Sequence, residues 1–160
     1  MPDPVGPGQE SVWSYPRPPR LEPVAERLVV QLGSAVIADT TSGYRVLETS
    51  HPPGYYLPPE DCDVALLVKA AGSSFCEWKG VATYWDVVLD RQVLAMAAWS
   101  YPDPTGQFEA IRDHLAFYPT MLACSVDGES VTPQPGGFYG GWVTSKVAGP
   151  FKGSPGTSGW

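Results

Sequence analysis

The chain has 160 residues, 43% of them hydrophobic and 12% aromatic, with 18 Pro, 17 Gly and a formal net charge of −7 at pH 7. This length suits one core, the aromatic content is too rich for a disordered chain, and so many Pro and Gly exclude long helices, which leaves a mainly β domain with many turns. The excess negative charge, with ten Lys and Arg in no run or stripe, argues against nucleic acid as a partner while leaving room for one basic pocket for a small anion.

Residues 1–20 are Pro-rich, ending in Tyr15-Pro16-Arg17-Pro18-Pro19-Arg20, and are expected to stay out of sheet as an extended arm because proline supplies no backbone donor. The start, Met-Pro-Asp-Pro-Val-Gly-Pro-Gly, lacks the basic and apolar runs of a targeting segment, and no stretch approaches the roughly 18 apolar residues of a membrane span. Cys62, Cys76 and Cys124 form no Cys-x-x-Cys pair, so neither a zinc site nor a disulfide framework is expected, and a reducing cytoplasm is the expected location.

From 21 to 132 the pattern is that of one β-rich domain. Arg27–Leu32, a Gly33-Ser34 link and Ala35–Asp39 read as a hairpin. Tyr44–Thr49 and Gly54–Leu57 are further strands, separated by the turn that Pro52-Pro53 forces, and the segment from Pro58 to Leu67 opens with Pro and acids like a short helical turn. Val81–Leu89, Asp90-Arg91 and Gln92–Trp99 form the strongest hairpin, whose second run is apolar on both faces and is expected to be covered twice. Phe108, Ile111 and Leu115 share one face of a second short helix, and Leu122–Val126 folds back on Glu129–Thr132 around Asp127-Gly128. Residues 133–160 are Gly- and Pro-rich but carry Phe138, Tyr139, Trp142, Phe151 and Trp160, so they are expected to pack on the domain or cap a pocket.

The chemistry gathers in two places. If Tyr44–Thr49 is a strand, Glu48 lies on the same face as Tyr44 and Val46; such a carboxylate is paired, protonated or facing a wet cavity, unless it ends its strand at the surface. In Ser-Ser-Phe-Cys-Glu-Trp-Lys-Gly, residues 73–80, Lys79 beside Gly80 can meet an anionic or carbonyl group, or act as a base if burial lowers its pKa, or stand solvated in a turn. Cys76 is a candidate nucleophile or an inert small hydrophobe. Asp61-Cys62-Asp63 can hold Mg²⁺ with a phosphate, or simply favour a helix start. His51, before Pro-Pro, is a pinned acid–base group or a bystander, and His114 reads as structural. Tyr55, Tyr56, Trp78, Tyr84, Trp99 and Tyr101 can line one concave face or serve as core. The chain has no nucleophile elbow, phosphate loop or dinucleotide glycine fingerprint.

The motifs His51-Pro-Pro-Gly-Tyr-Tyr-Leu-Pro-Pro-Glu-Asp-Cys62, Phe75-Cys-Glu-Trp-Lys-Gly-Val-Ala-Thr-Tyr84, Ala97-Ala-Trp-Ser-Tyr-Pro-Asp-Pro104 and Ala116-Phe-Tyr-Pro119 resemble, in this order, those of the family catalogued as domain of unknown function four-two-seven. The resemblance spans about residues 20–132, and the tail resembles an extension found in one branch of that family. It implies a compact, twisted antiparallel sheet similar to the tent-shaped Mss4-like folds, without zinc, in a protein of bacterial type. Its position-by-position implication for the site is Glu48, Tyr56, Asp61, Cys76, Lys79, Tyr84, Trp99 and Tyr101; Glu77 departs from the Pro usual after the Cys. The family's nucleotidyltransferase-type label implies group transfer, although Gly33-Ser34 is read as a hairpin turn and Asp61-x-Asp63 follows Pro58-Pro59 too closely for a metal-binding strand.

The resulting expectation is a pocket for an anionic small molecule. Glu48, Lys79 and Cys76 would be its catalytic candidates, for a transferase or a hydrolase, and Tyr56, Asp61, Tyr84, Trp99 and Tyr101 its binding residues. No cofactor is expected, with Mg²⁺ entering only alongside a nucleotide. A non-catalytic ligand-binding or protein-interaction module is the alternative.

Overall fold

The computed structural model describes residues 2–160. Its strands, in chain order, are β1 (Glu10–Ser11), β2 (Arg20–Val24), β3 (Leu28–Leu32), β4 (Ala35–Thr40), β5 (Gly43–Leu47), β6 (Gly54–Tyr56), β7 (Leu67–Cys76), β8 (Gly80–Leu89), β9 (Gln92–Ser100), β10 (Ala116–Phe117), β11 (Ala123–Val126), β12 (Glu129–Ser130), β13 (Thr132–Pro133), β14 (Trp142–Val143) and β15 (Val147–Ala148). The helical content is four short 3₁₀ segments, so the chain is mainly β, as the turn-rich composition requires.

Two four-stranded antiparallel sheets, in the orders β12-β11-β3-β4 and β10-β9-β8-β7, and a three-stranded sheet, β2-β5-β6, make the body. The hairpins read from Gly33-Ser34, Asp90-Arg91 and Asp127-Gly128 are present as β3–β4, β8–β9 and β11–β12. Leu28, Val30, Ile37, Val87, Ala97, Phe117 and Leu122 form the main core, and Val46, Tyr56, Tyr101, Phe108 and Ile111 a second cluster beside it.

Three expectations need correction, and one strand is added. The Pro-rich arm does enter sheet: β1 falls in its proline-free stretch, runs parallel to β15 and brings Val12 and Tyr15 into a third cluster with Leu47 and Val147. Arg45 anchors this arm, holding Glu10 at 2.6 Å and pairing with Glu22. The apolar strand β9 is covered on both faces only near its end, at Ala97 and Ala98, whereas Val93 and Met96 are exposed, because the hairpin runs out beyond the body. The second short helix is a 3₁₀ segment ending at Ile111, with Leu115 beyond it, although all three of its apolar residues are buried. The added strand, β7, pairs with β8 along an exposed edge; its Ala-, Gly- and Ser-rich middle carries little β-propensity and gives no strand signal of its own.

No helix among the described residues is long and apolar enough to cross a membrane, and all three cysteines are free thiols.

Candidate functional site

A cleft of about 690 Å³ opens where the end of β5, strand β6, the β7–β8 turn and the end of β9 meet the C-terminal tail. That volume falls within the range of small-ligand pockets, roughly 300–1,000 Å³. Alternation along the strands sorts the aromatic residues. On β6, Tyr56 faces the cleft while its neighbour Tyr55 points the other way, onto Trp142 at 4.9 Å; Tyr55 therefore does not line the concave face expected of it. On β8 and β9, Tyr84 and Trp99 are register partners and both reach the cleft, since directly opposed residues share a face.

The aromatic wall is internally braced. Trp99 Nε1 donates to Tyr56 Oη at 3.4 Å, Tyr84 Oη bonds Ser74 Oγ at 2.8 Å, and the Trp99 ring packs on Tyr118 at 4.6 Å between centroids. Burial, foremost, raises the pKa values of Tyr56, Tyr101 and Tyr118, so these phenols remain neutral hydrogen-bonding groups across the physiological range.

Lys79 stands at the β7–β8 turn, held there because Thr105 donates its backbone N–H to the Lys79 carbonyl at 3.2 Å and its hydroxyl to the Trp78 carbonyl at 2.6 Å. Gly80 has φ +108°, and a side chain there would press on the Asp103 carbonyl at 3.2 Å. Its glycine thus serves turn geometry and this backbone contact, not the ligand approach read from the sequence. The Lys79 ammonium lies 5.8 Å from the centroid of the Tyr101 ring. Among the described residues it has no ion-pair partner within 4.0 Å. Burial is the largest influence on Lys79 and by itself lowers its pKa, but Tyr56, Cys76 and Glu48 act in the opposite sense and leave it above the ordinary lysine value. That direction opposes the free-base role and favours a permanent cation.

Glu48 follows β5 directly, with its side chain 23% exposed at the cleft. It does not pair with Lys79. Its Oε2 lies 3.6 Å from Arg17 Nε and 3.8 Å from His51 Nε2. His51 is more deeply set, with a side chain 14% exposed and a ring edge-on to Tyr139 at 4.8 Å. Burial, with the charges of Lys152, Arg17 and Lys79, depresses its pKa to about 4, so the ring is neutral at pH 7.

Seven of the eight expected site residues therefore line one cleft: Glu48, Tyr56, Cys76, Lys79, Tyr84, Trp99 and Tyr101. Asp61 does not, because it closes a 3₁₀ turn and accepts a hydrogen bond from Thr40 Oγ1 at 2.7 Å; this carboxylate has a structural duty. Among the described residues no group of three His, Cys, Asp or Glu is placed to hold a metal.

Sequence reasoning passed over Tyr118, Gln134 and Lys152, which also line the cleft, and Arg17 behind Glu48, while Tyr139 reaches the cleft from the tail expected to pack on the domain or cap a pocket. Gln134 and Lys152 carry no local motif, and they arrive through tail crossings that no periodicity encodes. Gly141 is one cause of the arrival, since a side chain there would come within 2.5 Å of Gln134 Oε1 and 2.6 Å of the Pro52 ring.

The family model described as a domain of unknown function (DUF427) matches residues 20–132, and the chain belongs to that family. No curated protein matches it.

Proposed function

We propose that this family member binds an anionic small molecule in the cleft, with Lys79 holding the anion and the aromatic wall flanking the body of the ligand. One observation carries the reading: the ammonium of the partly buried Lys79 faces a 690 Å³ cleft with no carboxylate in ion-pair reach among the described residues. Enclosed charges are ordinarily paired, because an unpaired one forfeits its hydration without return. Arg17 and Lys152, by contrast, both donate to the Trp160 carbonyl, at 3.1 Å and 3.3 Å. Lys79 is the cation held in reserve for a ligand.

The chemistry that fits this arrangement is group transfer. Lys79 would neutralise charge on the transferred group while the attacking oxygen bonds to it and the bond to its former carrier breaks, the electron pair departing with that carrier, and Glu48 would take the proton of the attacking hydroxyl. Cys76 lies in the same cleft as the alternative nucleophile. A binder without turnover is the second reading, favoured by the Arg17 contact to Glu48, since the guanidinium lies 3.6 Å from the oxygen that would receive the proton.

Thermal-shift screening against nucleotides, sugar phosphates and small carboxylic acids, with and without Mg²⁺, tests the binding claim, because a ligand that binds the native state raises its melting temperature. An anionic hit whose shift disappears in Lys79→Met supports it. Hits confined to neutral or cationic compounds overturn it.

A further inference from the structure

The cleft contains a hydrogen-bond chain that neither end of the sequence announces. Gln134 is 2% exposed, and every direction of its amide is fixed. Its Oε1 accepts from the Gly141 backbone N–H at 3.1 Å, and its Nε2 donates to the Lys152 carbonyl at 2.7 Å. A backbone N–H can only donate and a carbonyl can only accept, so the amide cannot be turned over without losing both bonds. The second Nε2 hydrogen then faces His51 Nδ1 at 3.0 Å. A nitrogen that receives a hydrogen must present a lone pair. The ring proton is consequently on Nε2, and Nε2 points to Glu48 Oε2, 3.8 Å away.

We propose that Gln134, which lies outside the family-matched segment, is a positioning residue of the cleft: it holds His51 as the neutral Nε2–H tautomer, directs that N–H at Glu48, and so makes Glu48, not His51, the proton acceptor of the site. Protonating His51 at Nδ1 would set two hydrogens against each other at the Gln134 contact. The surroundings act in the same sense: burial first, then Lys152 from the tail, Arg17 from the arm and Lys79 from the β7–β8 turn all disfavour a second proton, and the Gln134 contact, which would favour one if its oxygen faced the ring, instead presents Nε2 because Oε1 is taken by the Gly141 N–H. The Tyr139 ring packs roughly perpendicular to that of His51 at 4.8 Å between centroids and brings no charge at pH 7.

The inference deepens the ligand reading in one respect. If Glu48 is the acceptor and Lys79 the cation, the bound anion also carries a hydroxyl or amine donor. Only that corollary rests on the proposed ligand site. The tautomer itself can be measured in the free protein.

With two histidines in the chain, long-range ¹H–¹⁵N correlation spectra of histidine-labelled protein resolve both rings, and a His114→Gln variant assigns them. The expected result is a His51 pattern protonated at Nε2 alone and unchanged between about pH 5 and pH 8, the span over which an ordinary histidine titrates. In Gln134→Glu, a carboxylate replaces the donor at Nδ1, so His51 should gain a titration with a midpoint above about 6.5, the unperturbed value. Gln134→Met, similar in volume but without hydrogen bonds, should show a mixture of tautomers while His114 stays unaltered. A wild-type His51 that titrates near the ordinary midpoint, or is protonated at Nδ1, overturns the proposal even if neither variant folds. Spectra unchanged by either folded variant overturn it equally. For the ligand corollary, ribose 5-phosphate should outbind inorganic phosphate at least tenfold; equal affinity refutes the corollary and leaves the tautomer result standing.

Discussion

Trp142 gives the sharpest test of whether the C-terminal tail belongs to the folded body. The residue is 1% exposed, its indole packs on Tyr55 at 4.9 Å between centroids, and its Nε1 donates to the buried Phe117 carbonyl at 3.1 Å. Truncating a fully buried Trp to Ala costs about 3–5 kcal/mol, since the surroundings only partly collapse into the cavity. Orphaning the Phe117 carbonyl adds about 1–2 kcal/mol. Trp142→Ala should therefore lose about 4–7 kcal/mol, a large part of the roughly 5–15 kcal/mol that holds a domain together. Trp142→Phe keeps most of the apolar volume and should lose about 1–3 kcal/mol, chiefly through the missing donor. Urea denaturation with a common slope measures both values. A loss below about 1 kcal/mol for Trp142→Ala would refute the reasoning, because it would mean that the indole is not held as its contacts imply.

The other predictions concern charge. Lys79→Met should weaken binding of an anionic hit by about 1.5–3 kcal/mol, roughly 10- to 150-fold, read by calorimetry; retained affinity removes Lys79 from the site. His51 is held neutral with its pKa near 4 against an ordinary 6.5, so its contribution is complete above pH 6.5 and is lost as the pH falls towards 4. Wild type should lose about 3 kcal/mol over that window relative to His51→Gln, measured by urea melts at successive pH values. The opposing influences on Glu10 are burial, which raises its pKa, and hydrogen bonds from Arg45 and Tyr15, which prevail and lower it. Its contribution should therefore be present above about pH 4.5 and fade below it, with amide exchange at residues 10–15 accelerating first; uniform acceleration along the chain would contradict this. Arg45→Met should cost about 1–3 kcal/mol by stripping Glu10 and Glu22 of their common partner, and should speed exchange in the same segment.

Much of the body was legible because it is written in local chemistry. Gly33-Ser34, Asp90-Arg91 and Asp127-Gly128 placed three hairpins, alternation put Glu48 on the face of Val46 that lines the cleft, and Tyr84 and Trp99 join it there as the aromatic content and the family resemblance implied. The failures share a cause: they depend on partners distant in sequence. Whether Tyr55 faces the cleft depends on where Trp142 sits, 87 positions later. Strand β7 has so little intrinsic preference that only its pairing with β8 makes it a strand. The arm's entry into sheet requires β15, near the opposite end of the chain. Asp61 was assigned by residue type and spacing, yet Thr40 had a prior claim on its carboxylate.

The division of the cleft between the matched segment and its flanks explains why the site is stronger in the structure than in any one motif. Residues 20–132 supply Glu48, His51, Lys79 and most of the aromatic wall, while Arg17 enters from before that span and Gln134, Tyr139 and Lys152 from after it. The flanking groups touch those of the matched segment: Arg17 lies on Glu48, and Gln134 and Tyr139 on His51. The matched segment thus carries the groups that would meet a ligand, and the flanks set their charge state and tautomer. On the proposed reading, the proton acceptor is decided by what faces His51 Nδ1 and not by Glu48 and Lys79 alone. An acceptor in place of the Gln134 amide would move the ring proton to Nδ1 and free Nε2 as a base. If Glu48 is the proton acceptor proposed above, one position beyond the matched segment is enough to move that role to His51.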